Sequence, residues 1–130
     1  MSMRISRIEG LKFRTEHRGL EVISDIPDDD HEPEGMSPGA LMMAALGTCM
    51  CSRLVDQMNK RGWEAGGVEV TVKYKSNKEL RTATSFDLDI RLEADLTEDQ
   101  RKEIFEEAKI CFVANTLKGA PEINYSLTLV

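Results

Sequence analysis

The segment Gly35-Met-Ser-Pro-Gly-Ala-Leu-Met-Met-Ala-Ala-Leu-Gly-Thr-Cys-Met-Cys-Ser52 carries no charge over eighteen residues, in a chain where 31% of residues are charged. Ser37-Pro38 opens a helix well, with Ser as N-cap and Pro at the first helical position. Lys60-Arg61-Gly62 closes it with cations and then a glycine suited to the C′ position. The spacing therefore predicts a helix from about Pro38 to Arg61. Its first part is apolar on every side, which predicts burial on every side and cover from more than one surface. The run is too short and too rich in Gly, Ser and Thr for a membrane span of about 20 apolar residues, so a buried core helix is the expectation.

Working outward, a second helix is expected from about Thr97 to Leu117, broken near Cys111. Thr97 and Gln100 form an S/T-x-x-E/Q capping box. Ile104, Phe105, Ala108, Cys111, Phe112 and Asn115 then follow helical spacing, so Cys111 faces the core. Val68, Val70, Val72 and Tyr74, and again Phe86, Leu88, Ile90 and Leu92, alternate with polar residues as two strands of an antiparallel hairpin. Shorter strands are expected at Leu11–Thr15 and Leu20–Ser24, and a last one at Tyr125–Leu129. The order β-β-α-β-β-α-β makes an α+β domain with antiparallel sheets, and 130 residues suit one domain over residues 1–130.

Composition narrows the function. A net charge of −6 without a basic block argues against nucleic-acid binding. The N-terminus has no apolar signal region, so the chain is expected in the cytoplasm, with no membrane role. The loop Asp25-Ile-Pro-Asp-Asp-Asp-His-Glu-Pro-Glu34 reads as a solvated loop, since it lacks the spacing of a calcium loop and His31 lacks a second ligand motif. Met42, Met43, Met50 and Met58 read as adaptable core packing, and His17 as an exposed turn residue.

Three cysteines are left, in a chain read as cytoplasmic, where thiols stay reduced. Cys49 and Cys51 sit two apart on a helix and project about 200° from one another, so they cannot share a metal as a C-x-x-C pair does. Cys49 and Cys111 lie on the buried lines of two helices and could meet across the core, or could both be small core residues.

Two motifs bear on that choice. Gly35 to Cys49 resembles the first cysteine motif of the OsmC/Ohr superfamily, and Ala108-Lys-Ile-Cys111-Phe-Val-Ala-Asn-Thr-Leu117 resembles its second, A-x-x-C-P-V-x-x-x-L. The resemblance covers nearly the whole chain. It implies an OsmC-like fold: antiparallel sheets around a long apolar helix, in an intertwined homodimer. It also implies a thiol peroxidase acting on organic hydroperoxides or hydrogen peroxide, with Cys49 peroxidatic and Cys111 resolving. Electrons would come from a small dithiol or a lipoylated protein, and no metal, haem or flavin is implied. The family arginine from the N-terminal strands falls on Arg18, with Arg14 as alternate. Two positions depart from the pattern: Gly39 stands where hydroperoxide-resistance members carry glutamate, and Phe112 where proline follows the second cysteine. Gly39 favours the alternative of a catalytically weak or inactive OsmC-like dimer that binds a small ligand. Cys51 has no counterpart in the family and reads as core or interface filling.

Overall fold

The computed structural model describes residues 1–130 as α+β, in the order β1 (Arg4–Glu9), β2 (Lys12–His17), β3 (Leu20–Ser24), α1 (Pro38–Lys60), β4 (Val68–Asn77), β5 (Thr82–Leu92), α2 (Glu98–Ala108) and α3 (Phe112–Gly119). The chain forms two compact units, Met1–Ala44 and Ala45–Val130.

In the first unit β1, β2 and β3 make an antiparallel meander. Strand β1 is not anticipated in the sequence reading, because Arg4-Ile-Ser-Arg-Ile-Glu9 is exposed throughout and has no buried face to advertise. His17 pairs with Leu20 across a two-residue turn in which Arg18 (φ 52°) and Gly19 (φ 79°) are both left-handed. That is the backbone of a type I′ hairpin, whose twist suits the flanking strands and which normally selects Asn, Asp or Gly. His17 is half-buried rather than exposed, and its Nδ1 lies 2.8 Å from the Ser2 carbonyl.

The acidic loop is far more ordered than its composition suggests. His31 is held from both sides, with Nδ1 2.8 Å from Asp28 Oδ1 and Nε2 3.0 Å from Asp25 Oδ2. Asp25 is 1% exposed and also accepts the Glu34 amide at 3.1 Å. Past it the chain runs beside β3, where Ser24 bridges Met36, the Asp25 amide reaches the Met36 carbonyl at 3.2 Å, and a Cβ on Gly35 would lie 2.2 Å from the Ile23 carbonyl oxygen. Gly35 is therefore required by close backbone approach. The Ser37 hydroxyl then accepts the Ala40 amide at 3.2 Å, so α1 begins where the Ser-Pro pair predicts.

In the second unit α1 ends in a Schellman motif. Gly62 (φ 72°) donates to Asn59 at 3.1 Å and Trp63 to Met58 at 3.0 Å. Strands β4 and β5 form the expected hairpin, and Thr97 and Gln100 cap α2 reciprocally at 3.2 and 2.9 Å. The core is one cluster: Met50, Leu54 and Met58 from α1 against Ile104 and Ala108 from α2, with Cys111 just beyond. Leu88, Ile90 and Leu92 pack on it from the sheet. Gly47 faces β4, and a Cβ there would sit 3.1 Å from the methyls of Val70 and Val72, so a larger residue would push the helix off the sheet. Arg61 joins the two helices at their far end, bonding Gln57 Oε1 at 2.7 Å and Glu103 at 3.0 Å.

Four expectations are corrected. Helix α1 is buried on one face only: Met42, Ala44, Ala45, Thr48 and Ser52 are exposed, because the chain offers the helix cover on a single side. By length and composition it would suffice for a membrane span, yet its buried face carries a paired Gln57 within the protein core. Tyr125–Leu129 is not a strand, and Ile123, Tyr125, Leu127 and Leu129 are exposed along an irregular tail that pairs with neither sheet. Phe112 and Asn115 are exposed as well, since the helix stops at Ala108 and restarts at Phe112 with a new phase. Of the four methionines read as core, Met42 is exposed and Met43 half-buried, whereas Met50 and Met58 are buried.

The His31 clasp makes a pH prediction. Its hydrogen bonds to Asp28 and Asp25 raise the His31 pKa above 6.5. The stability it contributes is thus fully present below pH 6.5 and lost as pH rises through the elevated folded value. His31→Gln should lower the urea midpoint at pH 6, and the gap to the unsubstituted protein should narrow at higher pH; a gap independent of pH would refute the assignment.

Candidate functional site

Cys49 is half-buried on α1, and Cys111 is 3% exposed at the N-cap of α3. The break between α2 and α3 is what presents the second thiol. After Ala108 the chain makes one tight turn, in which the Lys109 amide bonds the Phe105 carbonyl and the Ile110 amide the Glu107 carbonyl, each at 3.1 Å. Cys111 then extends (φ −122°, ψ 150°), and Asn115 bonds its carbonyl at 3.0 Å to start the next helix. Cys111 lies buried in the core cluster against which Cys49 packs.

Cys49 packs against the core cluster that contains Cys111, and both cysteines are reduced. Burial pushes the Cys111 thiol above its usual value of 9.0, the nearby Ala114 amide pulls it back, and the neighbouring Cys49 raises it further. The direction that results is upward, so Cys111 holds its proton. No capping bond of regular geometry forms from the Cys111 side chain, so the α3 amides act on it as dipoles. Such a pair sets an enclosed, protonated thiol beside a half-buried one.

Cys51 lies elsewhere on α1, beside a shallow depression lined by Ser52, Val55, Asp56 and Asn59, and burial raises its pKa. The sequence argument that C-x-C residues diverge on a helix therefore holds. Arg14 and Arg18 belong to the first unit. Arg14 is half-buried and ion-paired with Glu21 at 3.1 Å. Arg18 is exposed, has no ion pair, and occupies a left-handed conformation that costs a non-glycine residue about 1–2 kcal/mol. Backbone strain of this kind concentrates at functional positions. A Cβ added to Gly39 would meet nothing within 4 Å, so its glycine is not required by packing.

Sequence reasoning missed Arg53. Its Nε donates to the Ile110 carbonyl at 3.1 Å and its Nη2 lies 3.5 Å from Glu107. No local pattern signals a contact between an arginine in α1 and a carbonyl in the break before α3.

Because burial raises both Cys51 and Cys111, each should alkylate with iodoacetamide more slowly than a free thiol at pH 7 and accelerate above pH 9. Fast labelling of Cys111 at neutral pH in the folded protein would contradict the enclosed-thiol geometry.

A family model described as OsmC-like protein matches residues 28–126. No curated relative matches the sequence. Among solved structures, a candidate osmotic-stress-induced and detoxification-response protein from Psychrobacter arcticus superposes with a TM-score of 0.79 at 20% identity, covering 89% of this chain and 87% of that one. An OsmC-like protein from Mycoplasma pneumoniae gives 0.77 at 15% identity, covering 91% and 86%. An organic hydroperoxide resistance protein from Legionella pneumophila gives 0.59 at 19% identity, covering 92% and 90%. At these identities the likeness is one of fold.

Proposed function

This chain belongs to the OsmC-like family, and we propose that within it the protein is a thiol-dependent hydroperoxide reductase with Cys49 peroxidatic and Cys111 resolving. The observation that carries the reading is that these two reduced thiols are neighbours in the core of the second unit. Hydroperoxide resistance is what the Legionella neighbour is named for, and the activity comes to this chain as part of the proposal.

The Cys49 thiolate attacks the distal oxygen of ROOH. The O–O bond breaks, the alkoxide leaves and takes a proton as ROH, and Cys49 becomes a sulfenic acid. Cys111 loses its proton and attacks the sulfenic sulfur. The S–O bond breaks, water leaves with that proton, and a Cys49–Cys111 disulfide forms. A dithiol or lipoylated reductant restores both thiols by exchange. Organic hydroperoxides suit the apolar surroundings of Cys49, with hydrogen peroxide as the smaller alternative.

Arg18 serves Cys49 as the cation that favours its thiolate. Its unpaired charge and strained backbone support this role, whereas the ion pair of Arg14 with Glu21 engages the alternate. The protein acts in the cytoplasm as a single OsmC-like domain and a homodimer. In the dimer the outer face of α1 and the apolar tail at Ile123–Leu129 are covered by a second copy, which supplies the enclosure the sequence of α1 calls for.

The second reading, an OsmC-like dimer that binds a small ligand with little catalysis, is favoured by Gly39, which gives the arginine no carboxylate to order it.

One equivalent of cumene hydroperoxide should convert the protein to a Cys49–Cys111 disulfide by peptide mapping. Cys111→Ser should stop at a trappable Cys49 sulfenate, Cys49→Ser should abolish consumption, and Cys51→Ser should leave it unchanged. Loss of neither thiol, with consumption no faster than free dithiothreitol, would leave the ligand-binding reading. Arg18→Gly relieves the turn, so it should raise hairpin stability by about 1 kcal/mol while slowing Cys49 oxidation at least tenfold. Gly39→Glu, for which there is space, should speed that oxidation; equal rates in both variants and the unsubstituted protein would exclude Arg18 as the partner.

A further inference from the structure

Arg53 stands one turn beyond Cys49 on α1, and a helical side chain leans back toward the preceding turn. Its guanidinium does not end in solvent. Nε donates to the Ile110 carbonyl at 3.1 Å, Nη2 lies 3.5 Å from Glu107, and Nη1 lies 3.8 Å from Asp56 on its own helix. The side chain is 29% exposed.

Ile110 is the residue before Cys111, in the break between α2 and α3. Carbonyls at a helix end have no partner within the helix and must find one elsewhere. The Ile110 side chain is 57% exposed, so its own packing fixes it weakly. The peptide joining Ile110 to Cys111 is a rigid plane, and holding its oxygen holds the Cys111 nitrogen and Cα with it. One helix thus carries both Cys49 and the group that places its partner.

We propose that Arg53 is a positioning residue for the disulfide: by binding the Ile110 carbonyl it fixes the Ile110–Cys111 peptide so that the Cys111 sulfur rests against Cys49. The proposal rests on reading Cys49 and Cys111 as a redox pair, but not on peroxide as their oxidant.

The test is therefore run in glutathione buffers without peroxide. Protein dithiol plus glutathione disulfide gives the Cys49–Cys111 disulfide and two glutathione thiols, so the two electrons and two protons lost by the protein pass to glutathione. The oxidised fraction across a range of glutathione ratios, read by intact mass, gives the equilibrium constant and the potential. Arg53→Met keeps the aliphatic stem and removes every donor. It should lower that constant about tenfold, the effect of losing one charge-assisted hydrogen bond. Arg53→Lys should recover part of the loss, and Glu107→Gln, which leaves the Ile110 bond intact, should stay within about twofold.

A constant for Arg53→Met within about twofold of the unsubstituted protein overturns the proposal, as does an equal fall in Glu107→Gln, which would make the effect one of ion pairing between helices. Should Arg53→Met fail to fold, Arg53→Lys decides, because it lacks the planar fork; a constant unchanged in that variant overturns the proposal too. A protein that forms the disulfide with glutathione but ignores hydroperoxide sinks the peroxidase reading and leaves this one standing. A protein that forms no such disulfide in either experiment sinks both.

Discussion

The second unit depends on the seam where α1 meets α2. Met50, Leu54 and Met58 recur every fourth residue on one helix, and Ile104 and Ala108 do so on the other, with Cys111 next in line. Met58, Ile104 and Ala108 are fully excluded from water. Each such side chain contributes about 1.5–3 kcal/mol on burial if aliphatic and large, so this small set outweighs any surface ion pair in the unit. Because Cys111 belongs to this cluster and Cys49 packs against it, the packing that stabilises the fold also sets how near the two cysteines come. Arg53 and Arg61 flank the seam and tie α1 to Glu107 and Glu103.

Much of this was legible in the sequence because the signals are local. Ser37-Pro38, Lys60-Arg61-Gly62 and Thr97-x-x-Gln100 mark helix ends through bonds spanning three to five residues, and all are present as expected. The β4–β5 alternation needs only the strand itself. What escaped notice depends on partners distant in the chain or on exposure. Strand β1 has no buried face, Arg53 reaches across 57 residues to Ile110, and the Asp25–His31 clasp hides in a loop whose composition suggests solvent. The phase reset at Cys111 is a third kind of case. Apolar spacing carries through it from Ile104 to Asn115 as though the helix were continuous, and only the backbone shows that Phe112 turns outward.

The candidate site was legible to the same degree. Both cysteines could be picked from two motifs, and they are neighbours in the core, but the enclosure that raises the Cys111 thiol is something no motif encodes. Arg18 illustrates the opposite case. As a letter in a hairpin it is unremarkable, and its interest lies in a left-handed backbone that Gly, Asn or Asp would adopt at lower cost. The outer face of α1 up to Ser52 is uncharged by sequence and largely exposed in the single chain, and these two facts together motivate a second copy as its cover.

The contact between Cys49 and Cys111 also bears on how firmly the chain is held together. A bond between them would close a loop running through β4, β5 and α2, and a loop of roughly 60 residues loses enough unfolded-state entropy to add about 4 kcal/mol to stability. Redox state and resistance to unfolding are then two readings of one equilibrium. Oxidation would make the fold tougher, and any denaturing stress would make that same bond easier to reduce.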